Sequence, residues 1–136
     1  MEKLTAEWVR KAEDDFQVAR VLGRGSRRAH DQVCFHCQQS AEKNLKALLQ
    51  ELGLPVPRTH DLLALLFLLV SHHASLRTLR RGLEFLTQFA VGPRYPNYTT
   101  RKRQAVAALR WAGRVRDACR AFLGVRPPRR RRWKSP

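Results

Sequence analysis

The chain has 136 residues, 43% of them hydrophobic, which is enough for the core of one domain and excludes a disordered chain. Lys and Arg outnumber Asp and Glu by 27 to 11, so the net charge is +16. Such a charge favours the binding of polyanions, including RNA, DNA, nucleotides and acidic proteins. The alternative is that the charge only keeps the protein in solution. Three cysteines are too few for a disulfide scaffold.

The N-terminal residues do not resemble a signal peptide, because charges are scattered from Glu2 to Lys11 without an apolar run. The longest apolar run, residues 62–70, is far shorter than the roughly 20 residues that cross a membrane. We therefore expect a cytoplasmic protein with no membrane association.

Apolar residues at helical spacing predict two long helices at the start of the chain. The first covers residues 5–23 and ends at Gly23-Arg-Gly-Ser26; the second covers residues 29–52 and ends at Gly53. The inner face of the first helix comprises Trp8, Ala12, Phe16, Ala19 and Leu22. The inner stripe of the second comprises Cys34, Gln38, Ala41, Leu45, Leu48 and Leu52.

Three further helices complete the prediction. The third follows Thr59, a good N-cap, and runs to Val70; its apolar residues lie all round, so we expect it to be the most buried. The fourth covers residues 76–89, and the fifth runs from a cap at Thr99 or Thr100 to Leu123.

The predicted fold is all-α, an up-and-down bundle of about five helices formed by residues 1–125. Residues 126–136 contain six Lys or Arg and no acid, and we expect them to form a disordered basic tail.

Residues 34–37, Cys-Phe-His-Cys, superficially resemble a metal-binding motif. No second ligand pair follows at suitable spacing, so we predict no metal and no cofactor, and two cysteines packed in the core. Gln38 on the inner stripe needs hydrogen-bond partners, so it is either a structural amide, bonded within the core or at an interface, or part of the lining of a polar cleft. Glu42 and Lys46 are spaced i, i+4, which predicts an exposed ion pair.

Several candidate binding residues for a nucleotide or RNA stand near helix ends. Arg58 and His60 precede the third helix, whose free N–H groups favour an anion, although the adjacent Thr59 and Asp61 would equally form an ordinary cap. Arginine and tyrosine side chains in the loop before the fifth helix can hold a phosphate and stack a base. A basic stripe follows on the outer side of that helix. These candidates are Arg94, Tyr95 and Tyr98 in the loop, and Arg103, Arg110 and Arg114 in the stripe.

The order and spacing of four segments resemble the HEPN domain family over about residues 4–123. These segments are the first helix with Asp14-Asp15, the run Cys34-Phe-His-Cys-Gln-Gln-Ser-Ala-Glu-Lys43, residues 58–62 (Arg-Thr-His-Asp-Leu), and residues 94–96 (Arg-Tyr-Pro). The resemblance implies a helical bundle and a homodimer. It also implies a role beside a minimal nucleotidyltransferase in a toxin–antitoxin-like pair, with nucleotide or RNA binding.

Ribonuclease members of this family carry an Arg, four to six residues, and then a His at the start of a late helix. Here Arg94 has no such partner, because no histidine follows His73. The sequence therefore favours a binding protein over an enzyme. Two alternatives stay open: a metal-independent endoribonuclease toxin, and a non-catalytic structural dimerisation domain.

Overall fold

The computed structural model describes residues 1–26 and 28–125. The predicted basic tail, residues 126–136, lies outside the described residues. The described part is helical throughout, which confirms the all-α prediction of about five helices. The helices are α1 (Lys3–Arg24), α2 (His30–Glu51), α3 (Leu62–Leu69), α4 (Arg80–Thr87) and α5 (Lys102–Leu123). Short 3₁₀ segments cover Ala74–Leu79, Gln88–Ala90 and Gly92–Arg94.

The central element is α2, which packs against α1, α3, α4 and α5. The predicted stripe is buried along most of its length, from Cys34 to Leu48, and Leu52 alone is exposed. On α1, Ala12, Phe16 and Ala19 face α2 as predicted, because their spacing places them on one side of the helix.

The prediction that α3 is the most buried helix is wrong. Only four of its residues are buried, whereas Phe67 is 78% and Leu68 is 41% exposed. The helix packs on α2 and α4 with one side alone, so the other side faces outward in the single chain. The most buried helix is α2, with thirteen buried residues.

Two predicted caps are also wrong. Asp61, rather than Thr59, caps α3, and its Oδ1 accepts hydrogen bonds from the N–H groups of Leu63 and Ala64. At α5 the N-cap is Arg101, and neither Thr99 nor Thr100 holds that position. Thr100 instead ties the start of α5 to α2, since its N–H and hydroxyl both donate to Asp31 Oδ1, at 2.8 and 2.6 Å.

No helix in the described part of the chain is both long enough and apolar enough to span a membrane.

Candidate functional site

A polar surface runs along the outer side of α2, between α1 and the loop that precedes α5. At 100° per residue, the exposed and half-exposed side chains of one α2 stripe point to the same side of the bundle. We call this stripe the α2 surface, and it comprises Gln32, Phe35, His36, Gln39 and Lys43. Elements distant in the sequence reach this surface from both sides, and each adds a charged group to it.

Arg94 reaches the α2 surface from the loop. Its guanidinium lies over the ring of Phe35, with Cζ 5.3 Å from the ring centroid. A small cavity of about 110 Å³ opens here, lined by Gln32, Phe35, Pro93 and Arg94. The aromatic ring holds the side chain by a cation–π contact, while the guanidinium stays exposed and makes no ion pair with any described acid. Arg94 therefore keeps its donors for a ligand.

His36 stands beside this cavity, with its ring centroid 5.4 Å from that of Phe35. Its Nδ1 lies 2.9 Å from Asp15 Oδ1 of α1, and Lys43 donates to the other oxygen of the same carboxylate. Since the carboxylate fixes Nδ1, the imidazole is held in one orientation with Nε2 left for another partner. A cationic fork, an aromatic ring and an oriented imidazole thus lie together.

A second histidine is held from within the core. His60 Nδ1 lies 2.8 Å from Glu42 Oε1, and the other oxygen of that carboxylate accepts from Lys46 Nζ at 3.0 Å. Glu42 and Lys46 are only 4% and 6% exposed, so the prediction of an exposed ion pair is wrong. Two neighbours cover the pair. Trp8 of α1 packs against the Lys46 ammonium, and His60, in the segment before α3, contacts Glu42.

Gln38 connects these two regions and satisfies its hydrogen bonds within the protein. Its amide donates to the His60 carbonyl at 3.1 Å and to Glu42 at 3.3 Å, and its oxygen accepts from Gln39 Nε2 at 2.8 Å. Of the two interpretations, the buried hydrogen-bonded amide is therefore the correct one. Its partner Gln39 lies on the α2 surface, so the network reaches solvent there.

The start of α3 offers fewer free donors than the sequence suggested. Asp61 occupies two of the first N–H groups, and the Leu62 N–H donates to Thr87 Oγ1 at 3.0 Å. Any anion at this helix end would therefore depend on the exposed side chains of Arg58 and His60 rather than on the backbone.

The two loop tyrosines differ in their surroundings. Tyr95 is exposed, whereas the Tyr98 ring packs on Gly92, where a Cβ would overlap it. Partial burial, together with Cys34 and Asp31, raises the pKa of Tyr98. The phenol thus stays protonated near neutral pH and is a poor general base. Tyr95 keeps an exposed ring that is able to stack on a base.

The basic stripe of α5 is exposed as expected, but no described contact joins it to Arg94 or His60. Arg114 lies over the Trp111 ring at 4.9 Å, and that ring packs on Gly82 of α4, where a side chain would clash. Arg103 and Arg110 are exposed on the same side of the helix. The predicted residues therefore fall into two groups, one around α2 and one along α5.

Nothing in residues 1–26 and 28–125 forms a group of three residues that could hold a metal ion. The three cysteines are free and buried. Burial raises the pKa of Cys34 to about 11 and that of Cys119 to about 12, and it also raises that of Cys37. These thiols are protonated near neutral pH, which suits packing rather than metal binding or nucleophilic chemistry.

The sequence analysis missed the residues that complete the α2 surface. Phe35 and His36 lie inside the segment inspected for a metal site, and their partners Arg94 and Asp15 are distant in the chain. One signal was present: in a helix with a clear inner stripe, an aromatic and a histidine next to each other fall on the outer side.

The fold and this surface define an all-α bundle whose central helix has a polar outer side. The chain belongs to the HEPN domain family, whose domain matches residues 5–122. A search of curated proteins found no match.

Two solved structures are similar to this chain. The crystal structure of TT1696 from Thermus thermophilus is 24% identical, with a TM-score of 0.76, and the match covers 88% of this chain and 98% of that one. ST0689, described as an archaeal HEPN homologue, is 26% identical, with a TM-score of 0.69, and the match covers 90% and 99% of the two chains.

Proposed function

We propose that this HEPN-domain protein binds a nucleotide or RNA at the α2 surface, and that Arg94 and Phe35 contact the ligand. The observation that carries this proposal is the exposed guanidinium of Arg94, held over Phe35 beside the oriented imidazole of His36. Arginine provides a planar fork of donors for phosphate, and the exposed ring of Tyr95, next to Arg94 in the chain, offers a stacking partner for a base.

The distribution of charge supports a polyanionic ligand. Residues 62–125 contain eleven Lys and Arg against two acids, whereas the first 61 residues are nearly balanced. Of those eleven side chains, Arg116 and Arg120 pair with Glu13, and the other nine make no ion pair with a described acid. An excess of cations that are not paired with acids attracts phosphates at a distance.

Fluorescence anisotropy with a short labelled RNA at low salt tests the binding proposal. Arg94→Ala should weaken RNA binding about tenfold or more, since a charge-assisted hydrogen bond contributes about 1.5–3 kcal/mol. The matched control is Arg10→Ala, which removes an exposed arginine from the outer side of α1. Equal affinities for wild type and Arg94→Ala would reject Arg94 as a binding residue.

Metal-independent RNA cleavage is a second candidate, favoured by the imidazole of His36 with its Nδ1 held by Asp15. An imidazole oriented by a carboxylate is suited to general acid–base chemistry near neutral pH. Incubation of RNA with the protein in EDTA tests it. Cleavage that disappears in both His36→Ala and Arg94→Ala would establish the activity. RNA that stays intact with the wild-type protein would exclude cleavage and leave RNA binding as the proposed function.

We further propose that the protein is a cytoplasmic homodimer that acts with a minimal nucleotidyltransferase. The exposed apolar side of α3, with Phe67 and Leu68, supports a dimer because exposed apolar surface of this kind marks protein contacts. Light scattering at micromolar concentration should give the mass of two chains, and Phe67→Glu should give the mass of one.

Co-purification with the product of a neighbouring gene tests the proposed nucleotidyltransferase partner. A purely structural dimer would bind neither that partner nor RNA.

A further inference from the structure

A cleft of about 800 Å³ lies where the end of α1 meets the starts of α2 and α5. Gly23 and Leu109 line it, and α1 and α5 are in close contact there, since a Cβ at Gly23 would lie 2.9 Å from Leu109 Cδ1. Gln32 lines both this cleft and the small cavity at Arg94, so the two are neighbours. Arg94 and Phe35 do not line the cleft, and the proposed RNA contacts leave it unused.

One part of the lining is aliphatic. It is formed by Leu22 of α1 together with Val106 and Leu109 of α5, and we call it the aliphatic wall. Val106 is 54% exposed, so the wall offers apolar area that a partner can bury. None of the described residues that line the cleft is Phe, Tyr or Trp. Nucleic-acid bases are commonly held by stacking on aromatic rings, whereas an aliphatic wall suits the aliphatic side chains of another protein.

The rest of the lining has an excess of positive charge. The exposed side chains of Arg28, Arg101 and Lys102 line the cleft against a single acid, Asp31. The Oδ1 of that acid accepts hydrogen bonds from the N–H and the hydroxyl of Thr100. None of the three cations makes an ion pair with a described acid. Their charge therefore favours an acidic partner.

The three cations do not stabilise the helices on which they stand. Arg101 is the N-cap of α5, Lys102 is its first residue, and the first turn contains no acid. Arg28 immediately precedes Ala29, the N-cap of α2. Because the N-terminal end of a helix carries a partial positive charge, cations there oppose helix formation slightly. Carboxylates of a docked partner would neutralise these side chains and remove that repulsion.

We propose that this cleft docks an acidic segment of a partner protein. The segment places aliphatic side chains on the aliphatic wall and flanking carboxylates at the three cations. Charge complementarity selects this occupant over a second copy of the chain, which has 27 Lys and Arg against 11 Asp and Glu and is itself strongly basic. The inference goes beyond RNA binding at the α2 surface and does not require Arg94.

Selection of phage-displayed random peptides on the immobilised full chain tests the proposal. The enriched peptides should combine Asp or Glu with Leu, Ile or Val. Fluorescence anisotropy with a labelled enriched peptide then compares the variants. Arg28→Ala/Lys102→Ala should weaken peptide binding about tenfold and keep the melting temperature, because both side chains are exposed and neither stabilises its helix. Val106→Gln should weaken peptide binding about fivefold through lost apolar contact.

Two matched controls lie on α1, outside the lining of the cleft. Arg10→Ala/Lys11→Ala also removes an exposed arginine and an exposed lysine, and Leu4→Gln changes an aliphatic residue that is 51% exposed, close to the value for Val106. Neither control should change peptide affinity. A loss in a control as large as in its matched cleft variant would show an unspecific effect and reject the docking site.

Other outcomes would also overturn the assignment. These are enriched peptides without acids or without aliphatic residues, and peptide affinity that survives both cleft substitutions. A changed mass of a cleft variant by light scattering would make the cleft an interface between copies. A loss of RNA affinity in Val106→Gln equal to its loss of peptide affinity would make the cleft a nucleic-acid surface.

Arg94→Ala separates this proposal from RNA binding at the α2 surface. It should leave peptide affinity unchanged while it weakens RNA binding. Peptide binding that requires Arg94 and not the cleft residues would place the peptide on the α2 surface and refute the cleft. Peptide binding that requires the cleft, together with RNA affinity that is equal in wild type and Arg94→Ala, would reject the α2 surface alone.

Discussion

Replacing Glu42 with glutamine would leave the Lys46 ammonium buried without its carboxylate. Both side chains are more than nine-tenths buried, and Nζ and Oε2 are 3.0 Å apart. Removal of one partner of a buried ion pair costs about 3–5 kcal/mol, whereas an exposed i, i+4 pair contributes a few tenths. Because the pair is buried, Glu42→Gln should lower the free energy of unfolding by about 3–5 kcal/mol, whereas an exposed pair would give almost no loss.

Urea and thermal denaturation, followed by circular dichroism, give the free energy of unfolding of each variant. This free energy distinguishes a buried Glu42–Lys46 pair from an exposed one. For a chain of this size each kcal/mol shifts the melting temperature by about 3–5 °C, so Glu42→Gln should lower it by about 10–20 °C. Glu84→Gln provides the control, because Glu84 is exposed and makes no ion pair with a described residue. It should stay within about 0.5 kcal/mol of the wild type.

The double variant Glu42→Leu/Lys46→Met separates the stranded charge from the lost hydrogen bonds. Both charges are then absent and the volumes are similar, so stability should return close to that of the wild type. Leucine at this position no longer accepts the hydrogen bond from His60, whereas glutamine still has an oxygen that can. If Glu42→Gln unfolds within about 1 kcal/mol of the wild type, or if the double variant is as unstable as the single one, the reasoning from burial is wrong.

Three further substitutions separate the contributions of core packing, surface charge and an ion pair. Cys34→Ala should lower stability by about 1–2 kcal/mol through lost packing and leave RNA affinity unchanged, as denaturation and anisotropy would show. Arg110→Ala/Arg114→Ala should reduce the slope of log affinity against log salt by about 0.7–0.9 per lost phosphate contact. Partial burial raises the pKa of Glu13, but hydrogen bonds led by that from Arg116 outweigh it and hold this pKa below the usual value. The stability gained is present above the unfolded pKa of about 4.3 and is lost as pH falls through the folded pKa. Arg116→Ala should therefore destabilise at pH 7 and much less near pH 2, as urea denaturation at each pH would show.

The three long helices were predictable because each has apolar residues at helical spacing and a glycine just after its end. The predicted helix over residues 76–89 is instead divided among α4 and two 3₁₀ segments. The burial of α3 was not predictable, since eight apolar residues do not reveal which side has a partner in the fold. The caps failed for a related reason: Thr100 is a good cap by itself, but Asp31, sixty-nine residues earlier, binds its hydroxyl.

The site was predictable only where one segment contains it. Arg94 was identified from its loop, whereas its contact with Phe35 depends on the docking of that loop against α2, fifty-nine residues away. The i, i+4 spacing of Glu42 and Lys46 is the same in exposed and buried pairs. A buried pair is distinguished from an exposed one only by the packing of α1, and of the segment before α3, over this part of α2.

The buried network has a consequence for the site as well as for stability. Gln38 and Glu42 hold the backbone and the ring of His60 against α2, and Gln39 connects that network to the surface that carries Phe35. Since Glu42 lies two turns beyond Phe35, the carboxylate that holds His60 and the ring that holds Arg94 are about 10 Å apart along the α2 axis. The buried polar network costs desolvation energy, but it holds two of the proposed binding groups at fixed positions on one helix. The double variant Glu42→Leu/Lys46→Met should therefore restore stability without restoring the position of His60. Comparing its RNA affinity with that of His60→Ala would measure how much of the contribution of His60 to RNA affinity depends on the hydrogen bond to Glu42.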